Sequence, residues 1–144
     1  MNYKLVKSSN DDIEKLIDYK KRNIYEYAKD LSDDEIKKIN NYVEEDIPKI
    51  LNKYSSIIID NNVVGCLLLI KEDDGILLDE IYLEEEYSNK GIGTDIMKKV
   101  LNDNEIVYLW VYKDNIRAIS LYKRLGFIVI DDKGPRYYMM YSNN

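Results

Sequence analysis

Histidine is absent from this chain of 144 residues, and cysteine occurs once, at Cys66. Without an imidazole there can be no Ser-His-Asp or Cys-His triad, and no metal site is expected, because imidazole and clustered thiolates are the usual ligands. A lone cysteine forms no internal disulfide. Cys66 lies in the apolar run VVGCLLLI, which favours a buried side chain over a nucleophile. Acid and base chemistry would therefore use carboxylates, tyrosines or lysines.

Long apolar runs and an excess of positive charge are also lacking. No stretch approaches the roughly 18 to 20 apolar residues that span a bilayer, and the opening MNYKLVKSSNDDIEKL does not resemble a signal peptide. We therefore predict a cytoplasmic protein that binds no membrane. The net charge of −6 argues against nucleic-acid binding, which needs Lys and Arg to neutralise phosphates. It suits a cationic substrate, although acidity also serves solubility.

The length of the chain fits one domain, so residues 1–144 are predicted to form a single domain. Hydrophobic periodicity predicts the mixed α/β order β-α-α-β-β-β-α-β-α-β-β. In the second helix Pro48 is expected to cause a kink or a division, and Asp114 is expected to cap the last helix. The third helix should bury one apolar face with Lys98 and Lys99 outward. The residues of that face are Ile92, Ile96, Met97, Val100 and Leu101.

Two glycines, Gly91 and Gly93, lie between a predicted strand and the start of this third helix. The free N–H groups of a first helical turn attract anions, and glycine lets a phosphate approach the main chain. The two residues alone equally fit a tight turn with no ligand. A Rossmann fingerprint would need a third glycine, and a Walker loop would place lysine after the glycine, whereas Lys90 precedes it.

With its flanks included, the glycine turn fits a third kind of phosphate loop. The segment IYLEEEYSNKGIGTDIMKKVL, followed by LWVYKDNIRAISLYKRLGFIVI, resembles the GNAT N-acetyltransferase superfamily. That family has an Arg/Gln-x-x-Gly-x-Gly loop and a later Asn…Ala…Leu-Tyr…Leu-Gly-Phe segment, in this order with a strand between. The resemblance implies the GNAT fold, an α/β (α+β) structure with a mixed, mostly antiparallel central sheet of about six to seven strands flanked by about four helices.

The resemblance also implies a cofactor, acetyl-CoA, and no metal. The pyrophosphate would lie on the loop amides, and main-chain groups of Ile81 and Leu83 would pair with the pantetheine arm as a further strand does. The implied cofactor-binding residues are Ile81, Leu83, Ser88, Asn89, Lys90, Gly91, Ile92, Gly93, Thr94, Asn115 and Tyr122. Ser88 departs from the family pattern, which has Arg or Gln there; Asn89 and Lys90 are candidates for the missing contacts, and Lys90 equally fits an ordinary solvated charge.

Three residues are candidates for proton transfer. Tyr122 matches the family tyrosine that protonates the CoA thiolate, although it also fits a core aromatic. Asp79 and Glu80 are the candidate bases; strand alternation puts them on opposite faces, so at most one points into a site, and Asp79 ranks slightly ahead. Either also fits a carboxylate with no catalytic role. Asn115 matches the asparagine that binds the cofactor arm, and a plain helix cap is the alternative.

The predicted function is acetyl transfer from acetyl-CoA to a primary amine by direct attack in a ternary complex. A non-catalytic acyl-CoA binding or sensing module is the alternative, and an acidic interaction domain is a weaker one. Acidic and tyrosine-rich helices between Asp11 and Lys53 suggest a cationic acceptor such as a polyamine, an antibiotic amine or a peptide N-terminus. Exposed hydrophobic edges can also pair this fold into a homodimer.

Overall fold

Seven strands and four α-helices follow one another in the predicted order in the computed structural model, which describes residues 2–143. The strands are β1 Lys4–Lys7, β2 Tyr54–Ile59, β3 Asn62–Lys71, β4 Ile76–Leu83, β5 Ile106–Tyr112, β6 Ile128–Lys133 and β7 Arg136–Ser142. The helices are α1 Ile13–Tyr27, α2 Asp33–Lys49, α3 Ile92–Asp103 and α4 Ile116–Leu125. The element order derived from hydrophobic periodicity is therefore confirmed.

The strands form one sheet in the order β1-β2-β3-β4-β5-β7-β6. Neighbours β1–β2, β2–β3, β5–β7 and β6–β7 are antiparallel, whereas β4 and β5 run parallel with Ile76–Leu78 opposite Val107–Leu109. A parallel pair needs a crossover connection, and α3 supplies it. The predicted mixed, mostly antiparallel sheet is confirmed.

The chain divides into two compact units. The first unit comprises Met1–Leu68 and Glu80–Tyr87, and the second comprises Leu69–Asp79 and Ser88–Asn144. The organisation of residues 1–144 as a single domain stays a prediction. Within residues 2–143, no helix is both long enough and apolar enough to cross a membrane.

In the first unit α1 packs on α2. The N-cap residue of α1 is Asp12, which makes no side-chain cap hydrogen bond. Ser32 caps α2 and forms a capping box with Glu35. The helices bury Leu16 and Tyr19 from α1 and Val43 and Ile47 from α2. Pro48 neither divides nor shortens α2, since it lies in the last turn and the helix ends one residue later. The predicted division of α2 at Pro48 is therefore wrong, and the alternative of a kink stays a prediction.

In the second unit α3 buries the predicted apolar face, while Lys98 and Lys99 are exposed. Alternate residues of β5 are buried, as a strand with one core-facing side requires. These buried residues are Val107, Leu109 and Val111. The last strand in the sheet order, β6, exposes Ile128, Val129 and Ile130. It is an apolar edge of the kind that led to the homodimer prediction, which stays untested.

Candidate functional site

The glycine loop, residues 88–91, connects a short 3-10 turn at Glu85–Tyr87 to α3. Two of its residues have left-handed backbone angles, Asn89 with φ 60° and Gly91 with φ 86°. Gly91 is the N-cap of α3, and its carbonyl accepts the first helical hydrogen bond from the N–H of Asp95 at 3.0 Å. A Cβ built on Gly91 would meet nothing within 4 Å. The loop therefore faces open space beside the main chain.

Backbone N–H groups collect at this opening. Ile92, Gly93 and Thr94 are the first three residues of α3, so their N–H groups have no acceptor within the helix. The helix dipole adds partial positive charge at the same end. The arrangement fits an anion such as a pyrophosphate, which is the ligand that the sequence predicts there.

Charged side chains at the loop come from the loop itself, from α4 and from α3. Lys90 in the loop is exposed. Arg117, in the first turn of α4, donates a guanidinium hydrogen bond to the Oδ1 of Asn89. Asp95, an acid near the same opening, is paired with Lys99 at 3.4 Å between Nζ and Oδ2. The Arg117 contact was not predicted, because the two partners are 28 residues apart and no local pattern links them.

Asn115 is the N-cap of α4. Its Oδ1 accepts a hydrogen bond from the N–H of Ala118 at 3.3 Å, and Gly126, with φ 108°, ends the helix. The N-cap of α4 is therefore Asn115, and the prediction that Asp114 caps this helix is wrong. The structure shows the capping role of Asn115; its predicted contact with the cofactor arm stays a prediction.

Tyr122 lies on α4 and is half-buried. Its ring centroid is 5.7 Å from that of Phe127, with 56° between the ring planes. The ring centroid of Phe127 is in turn 5.8 Å from that of Tyr141. The carbonyl of Tyr122 accepts a hydrogen bond from the N–H of Phe127 at 2.9 Å. These contacts fix the end of α4 and orient the ring, and they leave the predicted acid role untested.

The adjacent carboxylates Asp79 and Glu80 have opposite environments, as strand alternation predicts. Asp79 is exposed, whereas Glu80 is only 2% exposed. The Glu80 Oε1 accepts from the hydroxyl of Tyr54 at 2.7 Å and lies 3.4 Å from the Nζ of Lys20, while Oε2 accepts from the thiol of Cys66 at 3.4 Å. Glu80 is thus a buried carboxylate with a cation and two donors around it.

The same region holds two groups whose pKa is raised. Burial, reinforced by the Glu80 carboxylate, raises the pKa of the Cys66 thiol well above its ordinary value. Burial also raises the pKa of Tyr19, helped by the hydrogen bond that its hydroxyl donates to Glu84. The Tyr19 ring stacks on Tyr82 with centroids 4.8 Å apart. Cys66 is a buried core residue, which confirms the interpretation of its side chain as buried.

The remaining predicted site residues lie on strands. Ile81 and Leu83 are half-buried residues of β4, and their pairing with a pantetheine arm stays a prediction. Trp110 on β5, which is not a predicted site residue, has its ring centroid 4.4 Å from that of Tyr138 with 34° between the ring planes, and the guanidinium of Arg136 lies 4.6 Å from the Trp110 ring centroid. Among residues 2–143, no group of three or more acidic or cysteine side chains is placed to hold a metal ion.

Comparison with known proteins gives one family match and several relatives. The model of the acetyltransferase (GNAT) family matches residues 15–127. A spermine/spermidine N(1)-acetyltransferase of Bacillus subtilis is 33% identical over a segment that covers 36% of this chain and 38% of that protein. An uncharacterized N-acetyltransferase of Methanocaldococcus jannaschii is 38% identical over 35% of this chain and 24% of that protein. The matched segments thus span well under half the length of these relatives.

Several solved structures are similar to this chain over almost its whole length. The PaiA N-acetyltransferase of Thermoplasma acidophilum, crystallised in complex with coenzyme A, is 25% identical with a TM-score of 0.74, and the match covers 99% of both chains. The order of strands and helices described above is therefore that of an acetyltransferase of known structure.

Proposed function

The chain belongs to the acetyltransferase (GNAT) family, as its motifs indicated, and on this basis we propose that it transfers an acetyl group from acetyl-CoA to a primary amine. The observation that carries the proposal is the glycine loop, where Gly91 leaves open space beside a set of free backbone N–H groups. Transfer occurs by direct attack of the amine in a ternary complex, and no covalent enzyme intermediate is needed.

The residues of the loop fit the phosphates of the cofactor. Ser88, Asn89, Lys90 and the amides of Ile92 to Thr94 would hold the pyrophosphate, and a side chain at position 91 would fill the space it needs. Acetyl-CoA supplies the activated acetyl thioester when bound. The chain itself supplies binding, orientation and proton transfer.

Tyr122 is the proposed acid. A thiolate with an ordinary pKa of about 8.5 leaves more readily when a nearby group donates a proton, and a phenol with an ordinary pKa of about 10 can do so. Packing of the ring on Phe127 would orient the hydroxyl. Asn115 is proposed to hold the cofactor arm in addition to capping α4.

Asp79 is the proposed base. A base must be reachable by the substrate ammonium or by a water, and Asp79 is exposed. Glu80 is less suited, because it is buried and its carboxylate already contacts Lys20 and Tyr54, so an incoming amine cannot reach it. The exposure of Asp79 and the burial of Glu80 support Asp79 as the base, which is the residue that the sequence placed slightly ahead.

We propose a small cationic amine of the polyamine type as the acceptor. The net charge of −6 favours a cation. One relative is named for acetylation of spermine and spermidine, and although its match covers only 36% of this chain, it agrees with the acidic character of the sequence.

The test is CoA release from acetyl-CoA in the presence of spermidine, an aminoglycoside or a peptide with a free N-terminus. We expect release with the polyamine, and we expect Tyr122→Phe to lower turnover by about 100-fold while CoA binding is retained. Tyr141→Phe is the matched control, since Tyr141 packs on the same Phe127 and has no proposed role. Unchanged turnover in Tyr122→Phe would refute the acid role.

Two other results would redirect the proposal. CoA binding without turnover on any amine would indicate the non-catalytic binding module. Reaction with neutral or acidic acceptors alone would overturn the cationic substrate class and leave the acetyltransferase activity in place.

A further inference from the structure

The glycine loop lacks a cation at the position where the family pattern has Arg or Gln, because Ser88 stands there. We infer that Arg117 of α4 replaces it and binds a phosphate of the cofactor. This inference rests on the proposed function, since it assigns one more residue to the same cofactor site.

The position of Arg117 is set by the start of α4. Asn115 caps the helix, so Arg117 lies in its first turn and projects from a fixed backbone. Its guanidinium reaches across to the loop and donates to the Oδ1 of Asn89. Asn89 in turn has the left-handed φ of 60°, two residues before the open position at Gly91. The guanidinium of Arg117, which belongs to α4, is therefore held beside the glycine loop.

The chemistry of the guanidinium suits a phosphate. It carries five N–H donors in a planar fork and is always charged, and a single amide oxygen does not use all five. Arg and phosphate form short, charge-assisted and often bidentate hydrogen bonds. Lys90 is the other nearby cation, and Arg117 is connected to a loop side chain through its hydrogen bond to Asn89. Both residues are exposed, so a ligand can reach them.

The test measures binding and needs no turnover. Affinity for CoA and for pantetheine, which lacks the phosphates, is measured by calorimetry for the wild type, Arg117→Ala and Arg117→Gln. We expect both variants to bind CoA about 10- to 100-fold more weakly and to bind pantetheine as the wild type does. Arg124→Ala is the matched control, because Arg124 is an exposed arginine of the same helix that bonds Ser120 at 3.0 Å.

A second pair of variants separates contact with the phosphate from mere support of the loop. Asn89→Ala removes the partner of Arg117, and we expect Arg117→Ala to weaken CoA binding further in that background. We also expect Ser88→Arg to restore CoA affinity to the Arg117→Ala protein, because it returns a cation to the loop. Equal CoA affinity of Arg117→Ala and wild type, or no further loss in the Asn89→Ala background, would overturn the inference.

The outcome for the wild type distinguishes this inference from the proposed function. If the wild type binds no CoA, the proposed function itself fails. If it binds CoA and Arg117 has no effect, only the role of Arg117 fails. A matching loss of pantetheine affinity would also refute it, since pantetheine has no phosphate for Arg117 to bind.

Discussion

The two units differ in what their interiors contain. Within residues 2–143, the buried polar side chains all belong to the first unit, and the buried side chains of the second unit are all apolar. The buried polar residues are Ser8, Ser56 and Glu80. The second unit instead carries its polar residues at exposed or half-buried positions, and these are where both family motifs lie. The first unit thus adds buried polar contacts to an apolar core, whereas the second relies on apolar packing.

This difference has an energetic consequence. In the first unit each buried polar group has a partner, such as the 2.7 Å hydrogen bond between the hydroxyls of Ser8 and Ser56 and the bond from Tyr54 to Glu80. Removing one partner leaves the other buried and unsatisfied, which costs more than the bond itself contributes. In the second unit a substitution on the surface loops costs little stability and can still change function. The first unit should therefore be intolerant of change in its interior, and the second tolerant at its loops.

The largest expected effect is that of Gly65→Ala on β3. A Cβ there would lie 2.1 Å from the carbonyl oxygen of Tyr82, which is a backbone atom and cannot rotate away. The N–H of Glu84 donates a hydrogen bond of 2.9 Å to the carbonyl of Val64, and this bond holds the two chain segments together next to the clash. We expect a loss of at least about 3 kcal/mol in the free energy of unfolding. Urea denaturation measures it, and a loss below about 1 kcal/mol would show that β3 and β4 separate easily.

Next in size is Glu80→Ala. It removes the carboxylate that Lys20 and Tyr54 contact, and we expect a loss of about 3 kcal/mol, since one partner of a buried pair is removed. Glu80→Gln should cost less because it keeps an acceptor for Tyr54. Asp79→Ala is the matched control on the exposed neighbour and should change stability by less than about 0.5 kcal/mol.

The turnover of the same three variants tests which of the two carboxylates, Asp79 or Glu80, is the base. If Asp79 is the base, Asp79→Ala lowers turnover although the protein remains stable. If instead folded Glu80→Gln loses turnover and Asp79→Ala keeps it, the assignment of the base is reversed.

The parts of the fold that sequence could predict are those with a periodic pattern. The apolar face of α3, from Ile92 to Leu101, was predicted in full, because a helix that packs on a sheet repeats its apolar residues at fixed spacing. Burial of Glu80 was not predictable in the same way, since a carboxylate becomes a core residue only when partners from α1, β2 and β3 surround it. The Arg117 contact with Asn89 likewise depends on tertiary placement.

A smaller effect is expected at Gly91 in the second unit. Gly91→Ala meets no neighbouring atom, so its cost comes only from the φ of 86°, and we expect a loss of about 1 kcal/mol. Gly134→Ala is the matched control, because Gly134 also has a positive φ of 59° and open space but lies in the turn between β6 and β7. Both variants should lose similar stability in urea, and only Gly91→Ala should weaken CoA binding. Equal CoA affinity in the two would argue against the glycine loop as the phosphate site.

The smallest effect, up to about pH 9, is a dependence of stability on alkaline pH that arises in the first unit. The pKa of the Cys66 thiol is raised in the folded protein, first by burial and then by Glu80, whereas the unfolded thiol keeps its ordinary pKa of about 8.5. Above that pH the unfolded chain binds fewer protons than the folded one, so the free energy of unfolding falls as the pH rises. Tyr19 adds a second decline above about pH 10 for the same reason.

Urea denaturation at about pH 7.5, 9 and 10 measures this dependence, with a slope of at most about 1.4 kcal/mol per pH unit for one group. Cys66→Ala should be less stable at neutral pH because it leaves a cavity, yet its stability should change little up to about pH 9, where the wild type already declines. The second unit has no buried thiol, so the comparison predicts that the early decline belongs to Cys66 alone. An equal decline in wild type and Cys66→Ala between about pH 8.5 and 9.5 would show that the thiol ionises as readily in the folded core as in the unfolded chain.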